Sequence, residues 1–326
     1  MKFTVCLLAY NHASYIVQAI ESILMQKTAF EFDIVIGEDD SNDGTRAIVQ
    51  DYARRFPDKI HVILGSRSDV HKIHGRVTGR RNYHSVLSAA RGEYIALLDG
   101  DDFWISADKL QQQADYFDAH PECTVCGTDA WIDCAGERTK FSARFWKKPG
   151  PIYTLEDVLS GDFVPPSCTL ALRRSALDFP DMFWRTITGD MALYSICGSR
   201  GNFAVLPEPT AVYRVNAGGI YTTGRKPGER VEATPRELEK LQHIALMFEE
   251  FLAYLGPRFT AVLRKRLSGI HRDIAWIARE LGDFRSMRIH AGTALSYAGF
   301  RGPHAVELAR LWVAGLAPWL LRFRKQ

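Results

Sequence analysis

The chain has 326 residues, 46% of them apolar and 24% charged, an ordinary globular balance with material for a sizeable core. Its length predicts one large domain plus an appendage, and a net charge of only +3 excludes the dense basic face that nucleic acid requires. Six scattered cysteines form no even framework, which excludes a disulfide-stapled fold and predicts a reducing, cytoplasmic compartment.

The opening "KFTVCLLAYN" is too short an apolar run for a signal peptide or a membrane span, and predicts a strand over 3–9. Helical spacing follows through Ile16, Ile20, Ile23 and Leu24. "FDIVIGED" (32–39) predicts a second strand, 44–56 a helix, and "KIHVILG" (59–65) a third strand. A looser stretch with Gly75 and Gly79 leads to a helix near 80–90 and then to the strand "EYIALLD" (93–99). Strands that are apolar throughout and alternate with helices predict an α/β fold, a mostly parallel sheet sandwiched by helices. A further helix from 107 stops at Pro121, and 123–133 with 137–146 predict a hairpin turning at Gly136. Cys123 and Cys126 form a C-x-x-C without a second pair at zinc-site spacing, so they are assigned as small buried strand residues. A helix over 154–161, a strand over 168–174, a helix over 190–201 and a strand over 202–215 complete this part. Residues 217–233, rich in Gly, Thr, Lys and Arg, have loop composition. From Pro235 onward the pattern is purely helical, with one helix–Gly282–Asp283–helix join. The expected layout is a sheet domain over 1–220, a loop or linker over 221–234, and an all-helical appendage over 235–326.

Ligands of an open parallel sheet bind beyond the carboxyl ends of its strands. Three polar clusters fall at such ends: "AYNH" after the first strand, "EDDSNDGT" after the second and "DGDD" after the fourth. Asp99 and Asp101 stand two apart, so an extended backbone points both carboxylates the same way, and Gly100 between them lets the chain turn. Two hard oxygen ligands suit Mg²⁺ or Mn²⁺; an acidic turn with Asp102 capping the next helix is the other reading. Glu38 and Asp39 are candidates to accept from a ribose hydroxyl or a base N–H, whereas Asp43 suits a helix cap. Arg80, Arg81 and Asn82 open a helix, where an arginine and the first N–H groups favour a phosphate; an ordinary solvated helix end is the alternative. His71, His74 and His84 lie in a basic stretch without acidic partners, which assigns them to a surface or acceptor-facing loop and not to a metal. Phe183 and Trp184 suit either stacking on an acceptor sugar or core packing.

The blocks "CLLAYNHASYIVQAIESILMQ", "IVIGEDDSNDGT", "RRNY" and "ARGEYIALLDGDDFWISADKLQQQADYFDAHPE" resemble those of the inverting family 2 glycosyltransferases of bacteria. So do "CTLALRRSAL" and "GDMALYSICGSRGNFAVLPEPTAVYRVNAGG", in the same order and spacing, so that the resemblance spans about residues 1–220. It implies a GT-A fold, a nucleotide-sugar donor, most simply a UDP-sugar, and a divalent metal. It further implies that Ala9, Tyr10 and Asn11 lie against the nucleobase and that Asp39 contacts the base or ribose. Arg81 would face the donor's ribose or phosphates, Asp99 the ribose or metal, and Asp101 the metal and diphosphate. Asp190 matches the family's catalytic base, which takes the acceptor hydroxyl's proton opposite a metal-stabilised diphosphate leaving group. Gly189-Asp190 equally suits the N-cap of the helix that follows.

One departure stands out. Asn216 occupies the place where the family often has a histidine near metal or diphosphate; its amide oxygen can bind a hard cation but carries no charge. Arg214 is a candidate phosphate ligand, and the loop with Gly218, Gly219, Arg225 and Lys226 is either a flap over the donor or a plain linker. The last helix sets Leu308, Leu311, Trp312, Leu316, Trp319, Leu320 and Phe323 on one face, flanked by Arg310, Arg322, Arg324 and Lys325. Its charges and Pro318 exclude a spanning helix. It suits peripheral contact with the inner membrane face, packing on the other appended helices, or a homodimer contact. The expected activity is transfer of a sugar from the nucleotide donor to an acceptor hydroxyl in the synthesis of a cell-surface polysaccharide or glycolipid, with a lipid-linked sugar among the acceptors. The alternatives are a nucleotide-sugar-binding scaffold, suggested by Asn216, and a sugar-phosphate nucleotidyltransferase, which would need a Gly-rich basic loop where "AYNHASY" stands.

Overall fold

The computed structural model describes residues 1–148, 150–215, 232–298 and 305–314. The chain starts with β1 (Phe3–Ala9), α1 (Ile16–Leu24), β2 (Phe32–Glu38), α2 (Thr45–Arg55) and β3 (Ile60–Leu64). A small hairpin, β4 (His71–Ile73) and β5 (Arg76–Thr78), precedes α3 (Arg80–Ala89) and β6 (Tyr94–Asp99). Next come β7 (Phe103–Trp104), α4 (Lys109–Ala119), β8 (Cys123–Cys134), β9 (Glu137–Lys140), α5 (Phe141–Phe145), β10 (Ile152–Tyr153) and α6 (Leu155–Ser160). The sheet-bearing part closes with β11 (Ala171–Arg173), α7 (Asp181–Arg185), α8 (Gly189–Gly198) and β12 (Asn202–Arg214). Four helices follow: α9 (Pro235–Tyr254), α10 (Thr260–Glu280), α11 (Phe284–Ala298) and α12 (Ala305–Ala314).

The main sheet has the order β10-β12-β8-β11-β6-β1-β2-β3. Its half from β6 to β3 is parallel, β11 runs antiparallel to both neighbours, and β12 is parallel to β8. β1 and β2 are buried at almost every position, because helices cover both faces of the sheet. α1 shows why the apolar spacing matters: Ile16, Ala19, Ile20 and Ile23 are fully buried. Each large side chain so buried stabilises the fold by about 1.5–3 kcal/mol. Register aligns the strand ends, with Ala9 opposite Glu38, Leu8 opposite Asp99, and Glu38 opposite Leu64. The carboxyl ends of four parallel strands therefore share one edge.

Three local expectations change. Only 137–140 of the predicted second hairpin strand is extended; Phe141 buries itself and the chain turns helical through Phe145. The loop before α3 contains the β4–β5 hairpin, and α7 is an added short helix. Cys123 and Cys126 are buried in β8, and burial raises both thiols well above their usual range.

The chain divides into two compact units, one carrying every strand and the other α9 to α12. In the helical unit α10 and α11 join at Gly282-Asp283, where Asp283 Oδ1 accepts the Ser286 N–H at 2.9 Å. Among the described residues no helix is long and apolar enough to cross a membrane. Asn216, the loop glycines with Arg225 and Lys226, and the last helix beyond 314 lie outside the described residues.

Candidate active site

Period-two alternation at the end of β2 sends neighbouring carboxylates to different surroundings. Glu38 is fully buried: Oε1 accepts the Ser41 N–H at 2.7 Å, and Oε2 accepts Arg46 Nε at 2.5 Å. A carboxylate so engaged holds the loop together, which corrects its assignment as a free ligand group. Asp39, one residue on, is partly exposed at the edge, and burial raises its carboxyl above the ordinary range against the pull of Arg67. Arg67, just past β3, lies 3.5 Å from Asp39 Oδ2, and its guanidinium sits 3.8 Å over the ring of exposed Tyr10. Among the described residues, Arg67 Nε is buried without a hydrogen-bond partner. The sequence reading missed Arg67, although the strand-end rule that selected "AYNH" applies equally to the end of β3.

Asn11 takes a left-handed backbone (φ 55°) and ties the loops after β1 and β2 together. Its N–H donates to Ser41 Oγ and its Oδ1 accepts the Asn42 N–H. Gly44 holds the N-cap position of α2; Asp43, one residue earlier, accepts the N–H of Thr45 at the head of the helix and that of Ala13, and so straps the same two loops. Ala9 is buried, and its carbonyl accepts the Asp39 N–H.

At the end of β6 the Gly100 N–H bonds the Leu8 carbonyl at 2.7 Å. A Cβ on Gly100 would come within 2.7 Å of His12 Nδ1, so only glycine lets the acidic turn close against β1. His12 Nε2 lies 3.9 Å from Asp101 Oδ1. Asp102 is buried and accepts the Arg214 N–H at 2.8 Å, so it fastens β12 to the turn and caps no helix. The Arg214 guanidinium donates to the Asp101 carbonyl and to Gln18 Oε1, each at 2.5 Å, and stacks over Phe103. It therefore fixes the backbone that carries Asp101.

Opposite the turn, α3 and α8 meet. The two arginines of "RRN" separate: Arg81 is exposed and paired with Asp69 at 2.9 Å, whereas Arg80 is buried over the Phe183 ring at 4.5 Å. The sequence expectation chose Arg81 for the site; helical geometry turns Arg80 inward instead. Asp190 is in the first turn of α8, but Thr188 occupies the N-cap position and makes no side-chain cap bond. The capping reading of Asp190 therefore fails. Tyr83 Oη donates to Asp190 Oδ1 at 3.4 Å. Burial raises the Asp190 carboxyl, opposed by the Arg80 charge and the Tyr83 hydrogen bond. Burial also raises Asp99 well above the ordinary range, reinforced by the neighbouring Asp190 and Asp101 charges. Phe183 belongs to the core, and Trp184 packs its ring between His71 and His84.

A family model for glycosyl transferase family 2 matches residues 4–179. This chain is a family 2 glycosyltransferase. An uncharacterized protein of Mycobacterium tuberculosis is 29% identical to it, over 98% of this chain and 85% of its own length. An uncharacterized glycosyltransferase of Nostoc is 29% identical over 88% of this chain and 86% of its own length. Staphylococcus aureus TarS, solved in complex with UDP-GlcNAc, matches with a TM-score of 0.65 at 17% identity, covering 97% of this chain and 89% of that one. The mannosyltransferase PcManGT of Pyrobaculum calidifontis, solved with GDP-Man and Mn²⁺, matches with a TM-score of 0.54 at 17% identity, covering 98% and 80%. These likenesses bear out the expected GT-A fold with its helical C-terminal region. In this glycosyltransferase the family match ends before Asp190 and Arg214, so those two positions rest on geometry.

The donor set fits a divalent metal. Asp99 and Asp101 bring hard oxygens to one turn, and Asp190 adds a third charge that needs neutralising nearby. Among the described residues no three acidic, histidine or cysteine side chains group closely enough to hold an ion alone. Asp101 and Asp99 would share Mn²⁺ or Mg²⁺ with oxygens from outside the protein. Such an ion, when bound, stabilises negative charge on a departing diphosphate.

Proposed function

We propose that this glycosyltransferase transfers a sugar with inversion from a UDP-sugar to an acceptor hydroxyl at the carboxyl edge of the parallel strands. The observation that carries the reading is the convergence there of Tyr10, Asp39 and Arg67 on one side with Asp99, Asp101 and Asp190 on the other. The exposed Tyr10 ring offers a stacking face, and Asp39 an acceptor for a base N–H. The Arg67 guanidinium, about a third exposed beside Asp39 and Tyr10, offers N–H donors to a base carbonyl. Asn11 and Ala9 tie the loops that carry these groups together, and Glu38 secures the same loop through Arg46. TarS, solved with UDP-GlcNAc, shares the fold and supports a nucleotide-sugar here.

Asp190 takes the proton from the acceptor hydroxyl as its oxygen bonds the anomeric carbon, and the bond from that carbon to the diphosphate oxygen breaks on the opposite face. A carboxyl raised by burial is a better base than an exposed one, since its proton affinity lies nearer that of the task. Arg214 holds Asp101 through the backbone.

The test is UDP release from a panel of UDP-sugars, and GDP release from GDP-mannose, with Mn²⁺, with Mg²⁺ and with EDTA. Turnover of a UDP-sugar that EDTA abolishes is expected. UDP binding without turnover of any donor would favour a scaffold, and turnover of GDP-mannose alone would overturn the choice of nucleotide.

The acceptor side of the proposal is a sugar, lipid-linked or in a growing cell-surface polysaccharide, met at the cytoplasmic face of a membrane. Charge supports it: residues 235–326 carry 15 Lys and Arg against eight Asp and Glu, whereas residues 1–234 carry 26 against 30. On α12 the exposed residues are Val306, Glu307, Arg310, Trp312 and Val313, a mixed apolar and charged face suited to a lipid surface or to a second copy of the chain.

A further inference from the structure

Asp190 needs more than a place at the head of α8, because a carboxylate that wanders among rotamers meets the acceptor proton only part of the time. Arg80 and Tyr83 stand one turn apart on α3, on a single face, and both are almost completely buried. The Tyr83 hydroxyl donates to Asp190 Oδ1 at 3.4 Å, and the Arg80 charge acts on the same carboxylate. The Phe183 ring braces both, lying 4.5 Å from the Arg80 guanidinium and stacking on Tyr83 with centroids 6.4 Å apart. α8 presses directly onto this pair: a Cβ on Gly189 would come within 2.6 Å of the Tyr83 ring and 3.4 Å of Arg80 Nη1. The two elements approach too closely here for any side chain at position 189.

We propose that Arg80 and Tyr83 are positioning residues that hold the Asp190 carboxylate in its working orientation, with Gly189 supplying the space for their approach. This rests on Asp190 being the base. Arg80 is thereby separated from the neighbouring Arg81, whose partner is the exposed Asp69. A buried arginine and a buried tyrosine that served only packing would be replaceable by groups of equal volume without effect on the chemical step.

The experiment measures UDP release from the best donor of the panel, together with UDP affinity by calorimetry, for Tyr83→Phe, Arg80→Lys, Asp190→Asn and the double variant Tyr83→Phe/Asp190→Asn. Tyr83→Phe keeps the ring and its packing, so a fall of five- to tenfold in kcat with donor KM and UDP Kd within twofold of wild type is expected. Arg80→Lys keeps the charge but loses the planar fork, and a loss in kcat of similar size is expected. In the Asp190→Asn background, Tyr83→Phe should produce no further fall. Unchanged kcat in Tyr83→Phe, or an equal fall with and without Asp190, would overturn the positioning role while leaving the base intact. Wild-type turnover by Asp190→Asn would instead remove the base, and the positioning role with it.

Discussion

Glu38 ends β2 and Asp39 follows it directly, yet one is sealed against Arg46 and the other faces the edge beside Arg67. Removing one partner of a buried ion pair leaves the other uncompensated, at a cost of about 3–5 kcal/mol. Arg46 is itself a third exposed, so the lower end applies. Arg46→Ala should therefore destabilise the chain by about 3 kcal/mol, seen as a lowered midpoint in urea unfolding without a change in slope. Arg67 is a contrasting case, since among the described residues its buried Nε has no hydrogen-bond partner. Arg67→Ala should cost little stability but weaken UDP binding roughly tenfold, about 1.4 kcal/mol, by calorimetry. Equal UDP affinity in that variant would remove Arg67 from the donor site.

At the scale of elements, packing between α10 and α11 contains a second polar device. His271 Nδ1 and His290 Nδ1 share a hydrogen bond of 2.8 Å, with Glu249 3.5 Å from His271 Nε2. Burial lowers both histidines to about 4, and the nearby His271 further disfavours a proton on His290. A group whose folded pKa lies below its unfolded value is protonated more readily on unfolding, so stability increases with pH across that window. The helical unit should thus lose stability as pH falls from about 6.5 toward 4. Helical circular dichroism during urea unfolding at several pH values would record it, and His290→Gln should flatten the dependence. A midpoint independent of pH in wild type would contradict this account of the pair.

At the scale of the molecule, the near-neutral total hides a basic helical region joined to an acidic sheet-bearing part. The chain should sediment with vesicles containing phosphatidylglycerol at low salt and be released as ionic strength rises, because exposed charges are screened within about 8 Å at 0.15 M salt. Deleting 315–326 should weaken that binding while leaving UDP affinity unchanged. Sedimentation independent of lipid charge, or none at all, would argue against a lipid surface.

Much of this was legible in the sequence. Apolar runs alternating with helical spacing determined the α/β layers, because a strand covered on both faces must be apolar throughout. The strand-end rule then located the acidic turn Asp99–Asp101, the family resemblance supplied the candidate base Asp190, and Gly100 stood where a close approach requires it. What the sequence left open depends on directions that spacing does not encode. Whether Arg80 or Arg81 turns inward follows from the rotation of α3 against α8, and whether Asp102 caps a helix or fastens Arg214 follows from β12 returning beside β7. Glu38 and Asp39 were equal candidates until the pleat of β2 and the approach of Arg46 separated them. The sequence by itself determined the class of fold and the chemistry gathered at one edge; tertiary packing alone decided which of two adjacent side chains faces that edge, because burial and partners are properties of the assembled chain.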